Sequence, residues 1–319
     1  MGFKYINPGY ANLLDTDKGI QLEGEQYNPD NKVAFWQPDA EEGISLEEIP
    51  KELYGKFDVY LSADVTGSDL FYVKVGISPL LGIRIYLWNN TWRAGMYELR
   101  NGSTSEYFEA YCSAQSSSLA NDTGIVMGAV NTVYFHIKVS SNRNTKDGLV
   151  EMWINDKSIG SCAAYMDSVL KSKIVISSDS EKALLSNIIL SDEEIARKER
   201  IVEVPVLSVE TDMKDNGDGS YTADKAGQIF LQKIDAEKLI GQYGGDSQIL
   251  GVACVGNPGY RTADGLSKVI SISRSGDEIT EYNSQTLKTG EGAAITVGRK
   301  VSMSLADLVK MELGWKAGT

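Results

Sequence analysis

The stretch from Thr132 to Gly160 constrains the fold most, because apolar and polar residues alternate in it twice. Every second residue from Val133 to Val139 is apolar, and so is every second residue from Val150 to Ile154. A period of two predicts strands with one buried face. The polar run between them ends at Asp147-Gly148, which predicts a hairpin. Its apolar face requires a second sheet, which the rest of the chain must supply.

Length and charge narrow the classes of partner. A chain of 319 residues has room for one or two domains with their own cores. The net charge of -13 argues against nucleic acid, because phosphate binding needs clustered lysines and arginines. No apolar run is long enough to cross a bilayer, so no membrane insertion is expected. The N-terminus lacks the basic-then-apolar order of a signal peptide, and three dispersed cysteines indicate free thiols.

Short apolar or alternating runs separated by turn residues recur up to about residue 190. Strands with turns every ~8–12 residues predict an all-β sandwich or jelly roll. The charged, non-alternating segment 191–204 predicts a helical or extended linker and a domain boundary. Beyond it we expect a smaller β-sandwich with short helices at 235–243 and 304–311. The expected segments are a leader or edge strand 1–31, a jelly roll 32–195, a linker 196–204 and a C-terminal β-sandwich 205–319.

Several phrases of the sequence resemble a known family. The runs NTVYFHIKV (131–139) and GLVEMWINDKSIG (148–160) resemble the strand pair of concanavalin A-like, laminin-G-type jelly rolls. The phrase ALLSNIILSDEEI (183–195) is similar to the closing strand of that domain in bacteriophage structural proteins. TDMKDNGDGSYTA (211–223) and SLADLVKMELGWKA (304–317) are similar to phage tail or virion proteins.

The resemblance implies an all-β chain, with an N-terminal concanavalin A-like jelly roll followed by a smaller β-sandwich domain. It implies a protein made in the cytoplasm of a host bacterium and carried on the virion surface. Expected partners are other virion proteins and further copies of the chain, for example in a trimer. It transfers no ligand site, because this fold places its sites on variable loops.

The sequence lacks the catalytic patterns that this fold would favour. Retaining glycosidases of the fold carry carboxylates at alternate positions of one strand, and no such strand occurs. The only histidine, His136, lies mid-strand with no nearby Ser or Cys pair that would make a triad, and a single histidine cannot assemble a zinc site. We therefore predict a protein that is not an enzyme, with an endoglycanase as the least favoured alternative.

No cofactor is predicted. Calcium is the alternative, because laminin-G-type domains sometimes bind it with loop carboxylates. The DNGDG motif at 215–219 fails the EF-hand signature at both its first and its last ligand position. Its Asn-Gly and Asp-Gly pairs favour a plain hairpin turn.

Aromatic residues beside amides are the best functional lead. Sugars are bound by aromatic rings under their C–H faces and by amides or carboxylates at their hydroxyls. The same tryptophans would also suit a core or a subunit interface. The glycan- or interface-contact candidates are Trp88, Asn89, Asn90, Trp92, Tyr134, Glu151 and Trp153.

Two functions follow as hypotheses. In the first, the chain is a virion-associated structural protein and adhesin whose first domain binds polysaccharide on a host cell surface. In the second, it is a capsid decoration or fibre-base protein that acts only through protein–protein contacts. The aromatic candidates would contact sugar in the first case and a neighbouring subunit in the second.

Overall fold

The computed structural model describes residues 3–9, 20–23, 33–36, 44–45, 50–63, 69–75, 80–88, 91–102, 106–111, 124–142, 144–164, 173–178, 182–196, 199, 201–256, 268–286 and 295–319. The chain divides into two compact units, Met1–Val202 and Glu203–Thr319.

Two antiparallel sheets make up the described part of the first unit. The eight-stranded sheet has the order β12-β11-β10-β5-β14-β3-β2, with β1 beside β14. The six-stranded sheet has the order β4-β13-β6-β7-β8-β9. The strands of the eight-stranded sheet are β1 (Phe3–Asn7), β2 (Ile20–Glu23), β3 (Val33–Trp36), β5 (Glu52–Leu61), β10 (Ala129–Lys138), β11 (Gly148–Ile154), β12 (Lys157–Ala164) and β14 (Ala183–Ser191). Those of the six-stranded sheet are β4 (Ile44–Ser45), β6 (Asp69–Val75), β7 (Leu80–Trp88), β8 (Thr91–Gly102), β9 (Glu106–Tyr111) and β13 (Lys173–Ser178).

The predicted central hairpin is confirmed. Strands β10 and β11 pair antiparallel, with Phe135 opposite Met152. Both of these side chains are 0 % exposed, as their alternation with polar residues predicts. They share one core with Ile174 and Ile176 of the six-stranded sheet. The two sheets therefore cover one another, and the prediction of an all-β sandwich is confirmed.

Two amide side chains, one buried and one exposed, fix the end of this hairpin. The two-residue turn between β11 and β12 has positive φ at Asn155 (48°) and Asp156 (65°), the conformation of a tight hairpin turn. Asn155 accepts a hydrogen bond from the Thr132 N–H at 2.9 Å and donates one to the Asn131 side chain at 2.9 Å. Because Asn131 is 0 % exposed and hydrogen-bonded, its amide ties the turn to the start of β10.

The described residues of the segment after β14 pack against the eight-stranded sheet. We call residues 192–201 the strap; positions 192–196, 199 and 201 are described. Ile195 is 2 % exposed and packs with Tyr134 and Ile189 on the face of the eight-stranded sheet that points away from the core. Lys56 on the same face donates a hydrogen bond to the Glu199 carbonyl. The strap therefore covers part of this outer face.

The second unit contains a five-stranded antiparallel sheet of order β15-β18-β23-β20-β21 and two smaller pairs, β16-β17 and β19-β22. Its strands are β15 (Val206–Thr211), β16 (Lys214–Asp215), β17 (Tyr221–Thr222), β18 (Ile229–Ile234), β19 (Gln248–Gly256), β20 (Lys268–Ser275), β21 (Glu278–Thr286), β22 (Ile295–Ser304) and β23 (Glu312–Gly318).

Both predicted helices of this unit are present. Helix α1 (Ala236–Tyr243) ends at Gly244, whose φ of 83° suits a glycine C-cap. Helix α2 (Leu305–Leu308) is shorter than predicted and begins after Ser304, whose side chain accepts from the Asp307 N–H. None of the helices in the described residues has the length and hydropathy needed to span a bilayer.

Candidate functional site

The outer face of the eight-stranded sheet holds a row of three polar side chains. Tyr54, His136 and Glu151 lie side by side on β5, β10 and β11. The Tyr54 and His136 rings are stacked, with centroids 4.3 Å apart and planes at 1°. The Nδ1 atom of His136 lies 3.0 Å from Glu151 Oε2. A carboxylate at one ring nitrogen orients the imidazole and leaves the other nitrogen for hydrogen bonding or proton transfer.

The second ring nitrogen, His136 Nε2, is buried and has no hydrogen-bond partner in the part of the chain that the structure describes. Burial, and then the Glu52 carboxylate 3.5 Å away, raise the pKa of the Tyr54 phenol. The phenol therefore stays protonated at neutral pH. Among these three residues only Glu151 is a predicted contact candidate, because the row joins three strands whose register cannot be read from the sequence.

Tyr134 and Trp153 form the next row of the same face. Their rings meet edge to face, with centroids 5.2 Å apart. Tyr134 is 5 % exposed, because Ile189 of β14 and Ile195 of the strap pack against it. The expectation that this side of the hairpin meets solvent therefore does not hold at Tyr134. Trp153 is partly buried against the same cluster, and the Glu151 side chain keeps 26 % exposure.

The other predicted contact residues belong to the β7–β8 hairpin of the six-stranded sheet. Trp88 pairs with Thr91, and Trp92 pairs with Leu87. Because neighbouring residues of a strand alternate between faces, Trp88 and Trp92 fall on opposite faces of the sheet. Asn89 and Asn90 lie outside the described residues.

The strand register also shows which face of the six-stranded sheet is turned toward the core. Ile176 of β13 belongs to the core, and it pairs with Val73, which in turn pairs with Ile83. Ile83 and Leu87 are an even number of residues apart on β7, so the position of Trp92 lies on the core side. Trp88 lies on the outer face.

Aromatic and basic positions recur on that outer face. Tyr72 pairs with Arg84, and Tyr86 pairs with Arg93. We call these outer-face positions of β6, β7 and β8 the aromatic face; they are Tyr72, Arg84, Tyr86, Trp88, Arg93 and Tyr97. Only Trp88 among them is a predicted contact residue, although Arg84, Tyr86 and Trp88 stand at alternate positions of β7. Aromatic rings and guanidinium groups on one sheet face are the residue types that bind sugars and their substituents.

In the loop that was a candidate for calcium binding, the Asp218 carboxylate forms hydrogen bonds within its own turn. Asp218 accepts hydrogen bonds from the Ser220 hydroxyl at 2.6 Å and from the Ser220 N–H at 2.9 Å. These bonds lower the pKa of the Asp218 carboxyl. The predicted hairpin at 215–219 is confirmed, because β16 and β17 pair across it. The described residues contain no group of three histidine, cysteine or acidic side chains suited to a metal ion.

No protein-family model matches this sequence, and no curated protein sequence is significantly similar to it. Its structure is similar to alginate lyase Aly36B, with a TM-score of 0.34 and 12 % identity over 58 % of this chain and 82 % of that one. Sheep galectin-11 in complex with glycerol gives a TM-score of 0.27 and 14 % identity over 45 % and 92 % of the two chains. The endo-1,3-beta-glucanase from Streptomyces sioyaensis gives 0.23 and 8 % over 55 % and 74 %.

These similarities require one correction. The prediction that the chain is not an enzyme does not stand, since a lyase and a glucanase are among the similar structures. It relied on a missing carboxylate pair, which excludes one glycosidase arrangement and not other chemistry on the same fold. We withdraw that prediction, and we assign no reaction to this chain.

Proposed function

We propose that the chain is a carbohydrate-binding protein and that the aromatic face of the six-stranded sheet contacts the sugar. The observation that carries the proposal is the strand register, which gathers Tyr72, Tyr86, Trp88 and Tyr97 on one face. Aromatic residues at positions on one face of adjacent strands, which are about 4.8 Å apart, are the residue type that stacks on the C–H faces of sugars. The Tyr134 row is a weaker candidate, because the strap covers Tyr134.

The expected effect of Trp88→Ala is a loss of about tenfold in affinity for polysaccharide, from removal of one stacking ring. The melting temperature should stay within a few degrees of the parent, because the position lies outside the core. Affinity electrophoresis against a panel of polysaccharides, followed by calorimetry on those that bind, measures the effect. The same mixtures are assayed for newly formed chain ends, which separates binding from cleavage.

Trp153→Ala is the matched variant on the eight-stranded sheet. If Trp153→Ala abolishes binding and Trp88→Ala does not, the sugar is bound by the other face and the proposal is wrong. A folded parent protein that binds no polysaccharide of the panel would remove the proposed function altogether.

We extend the proposal to the setting that the sequence resemblance implies. The chain would be a virion-associated adhesin, made in the cytoplasm of a host bacterium and displayed on the particle surface among other virion proteins. Its ligand would then be polysaccharide on the host cell. Immunogold labelling of intact particles with an antibody to this chain tests the setting, and particles that contain none of the chain would contradict it.

A decoration or fibre-base role is the second candidate, and the edge strand β15 favours it. Val206, Leu207 and Val209 on this strand are 48 %, 61 % and 38 % exposed. An edge strand also presents unpaired backbone groups to which another chain can add. The occupant that we propose for this edge is a second copy of the chain, in keeping with the expected homo-oligomer.

Leu207→Asp is expected to lower the mass of the assembly, because it places a charge in the apolar contact. Light scattering during gel filtration measures the mass. Val126→Asp is the control, since Val126 is 53 % exposed in the first unit. A parent chain that is monomeric at every concentration tested would rule out this candidate.

A further inference from the structure

We infer that two copies of the chain meet edge to edge through strand β15, about a twofold axis near Leu207. The inference rests on the second candidate function, which places a second copy on this edge, and it adds the symmetry of the contact. Every residue of β15 from Val206 to Glu210 is exposed, although a strand of a packed sheet normally buries one face. The side chains of this strand therefore lie at the surface.

Apolar side chains are concentrated on β15. Val206, Leu207 and Val209 are three of the six large hydrophobic residues that are exposed in the part of the chain that the structure describes. Leu207 is the most exposed of the six, at 61 %. Single apolar residues are common on protein surfaces, whereas a cluster of them marks a contact surface. The edge of this sheet therefore offers an apolar contact.

A bulge shapes this edge. The pairing of β15 with β18 shifts register between Val206 and Ser208, so Leu207 has no partner residue on β18. A bulge at a sheet edge hinders regular backbone pairing with another chain. The contact that we infer therefore depends on the apolar side chains more than on a long ladder of backbone hydrogen bonds.

The charges favour a second copy as the occupant. Glu210 is the one charged residue of β15, and Arg274 of the same chain donates hydrogen bonds to both of its carboxylate oxygens. The strip from Val206 to Val209 is uncharged, in a chain with a net charge of -13. Two copies repel one another over most of such a surface, and least at an uncharged strip. A strongly basic or acidic partner would gain no charge contact from it.

The other edge of the same sheet decides the symmetry. That edge is β21, and a head-to-tail contact of β15 with β21 would build rings or filaments. Strand β21 carries Glu278 and Glu281, so this contact would bring Glu210 toward further carboxylates, which is destabilising across paired strands.

A twofold contact avoids this repulsion. In an antiparallel arrangement centred near Leu207, the two copies of Glu210 lie at opposite ends of the contact, about 20 Å apart at roughly 3.3 Å per residue. That separation exceeds the distance of about 8 Å over which physiological salt screens exposed charges. The apolar residues of each copy meet those of the other between these ends.

The size of the contact sets the expected affinity. A stable interface has roughly 20–30 residues a side, and one edge strand supplies far fewer. We therefore expect a weak dimer that forms at high protein concentration. Light scattering during gel filtration should show a mass that rises from that of one chain, 34.8 kDa, toward twice that value and no further.

Cross-linking locates the axis. Leu207→Cys, oxidised at high protein concentration, should form a disulfide between the two copies of position 207, because a disulfide joins Cα atoms about 4–7 Å apart. Peptide mapping identifies the linked positions. Val126→Cys is the matched control, since Val126 is 53 % exposed in the first unit, and it should form no link to itself. The parent chain, oxidised in parallel, reports links made by its own three cysteines.

A mixture of Leu207→Cys and Ile279→Cys tests the head-to-tail alternative, because Ile279 is 42 % exposed on β21. A link between positions 207 and 279, or an assembly of three or more copies, would overturn the twofold contact and leave the second candidate function in place. Association without any link between two copies of position 207 would also overturn it. A chain that stays monomeric at every concentration would overturn both.

Discussion

Replacing Gly55 by alanine is expected to destabilise the first unit by about 3 kcal/mol, at the upper end of the range for an overpacked core. Gly55 lies opposite Phe135 in the β5–β10 pair, and the Phe135 side chain is 0 % exposed. A Cβ atom added at Gly55 would be 2.0 Å from the Cζ atom of the Phe135 ring. Because the ring is enclosed by the core, it can move only by disturbing its neighbours.

Urea unfolding measured by circular dichroism gives the free energy of unfolding. Gly241→Ala is the control for the substitution itself. Gly241 lies in helix α1 with nothing within 4 Å of an added Cβ. Alanine there should stabilise the second unit by up to about 1 kcal/mol. The same chemical change would thus have opposite signs at the two positions.

A double-mutant cycle identifies the cause. Phe135→Leu removes the part of the ring that the new methyl group meets. We expect Gly55→Ala with Phe135→Leu to be less destabilised than the sum of the single variants by about 1 kcal/mol or more. Additive effects would show that contact with the ring is not what makes Gly55 necessary.

The contact between Gly55 and Phe135 separates what the sequence predicts, the strands, from what it does not predict, their register. The alternation around Phe135 predicts a strand with a buried face, and that strand is present. The apolar alternation from Phe57 onward likewise predicts part of β5, which begins earlier, at Glu52. Neither pattern contains the register between the two strands. Since the register decides that a glycine lies under the ring, this contact could be found only in three dimensions.

The candidate site shows the same division. The sequence correctly gives Glu151 and Trp153 the same strand face, because side chains alternate with a period of two. It could not foresee that Ile195 would fold back over Tyr134, because the two isoleucines of this charged segment, Ile195 and Ile201, are six residues apart and show no strand or helix periodicity. It also missed Tyr72, which joins the aromatic face only through pairing with Arg84.

The second large effect is expected at the strap. A variant that detaches the strap also tests whether sugar is bound by the aromatic face or by the row of Tyr134 and Trp153. Ile195→Asp is expected to cost about 3 kcal/mol, since it places a carboxylate in a site where the isoleucine is 2 % exposed. The loss is limited to the contacts of the strap, because the core between the two sheets does not include Ile195. We therefore expect the strap to detach while the sheets remain folded.

Detachment would expose Tyr134 and Trp153 to water, so tryptophan emission should shift to longer wavelength and proteases should cut within 192–201. Ile195→Val, which keeps the packing nearly intact, should cost about 1 kcal/mol and change neither signal. Ile279→Asp is the charge-matched control, because Ile279 is already 42 % exposed in the second unit. A chain in which Ile195→Asp and Ile279→Asp behave alike would contradict the packing role of the strap.

Polysaccharide binding by Ile195→Asp then distinguishes the two faces of the sandwich. If sugars bind the aromatic face of the six-stranded sheet, the affinity should match that of the parent chain. An increase in affinity would instead identify the row of Tyr134 and Trp153 as a sugar site that the strap normally covers. Since stacking on an aromatic ring requires access to its face, a buried Tyr134 cannot contribute in the parent chain. The variant therefore tests the location of the site independently of Trp88→Ala.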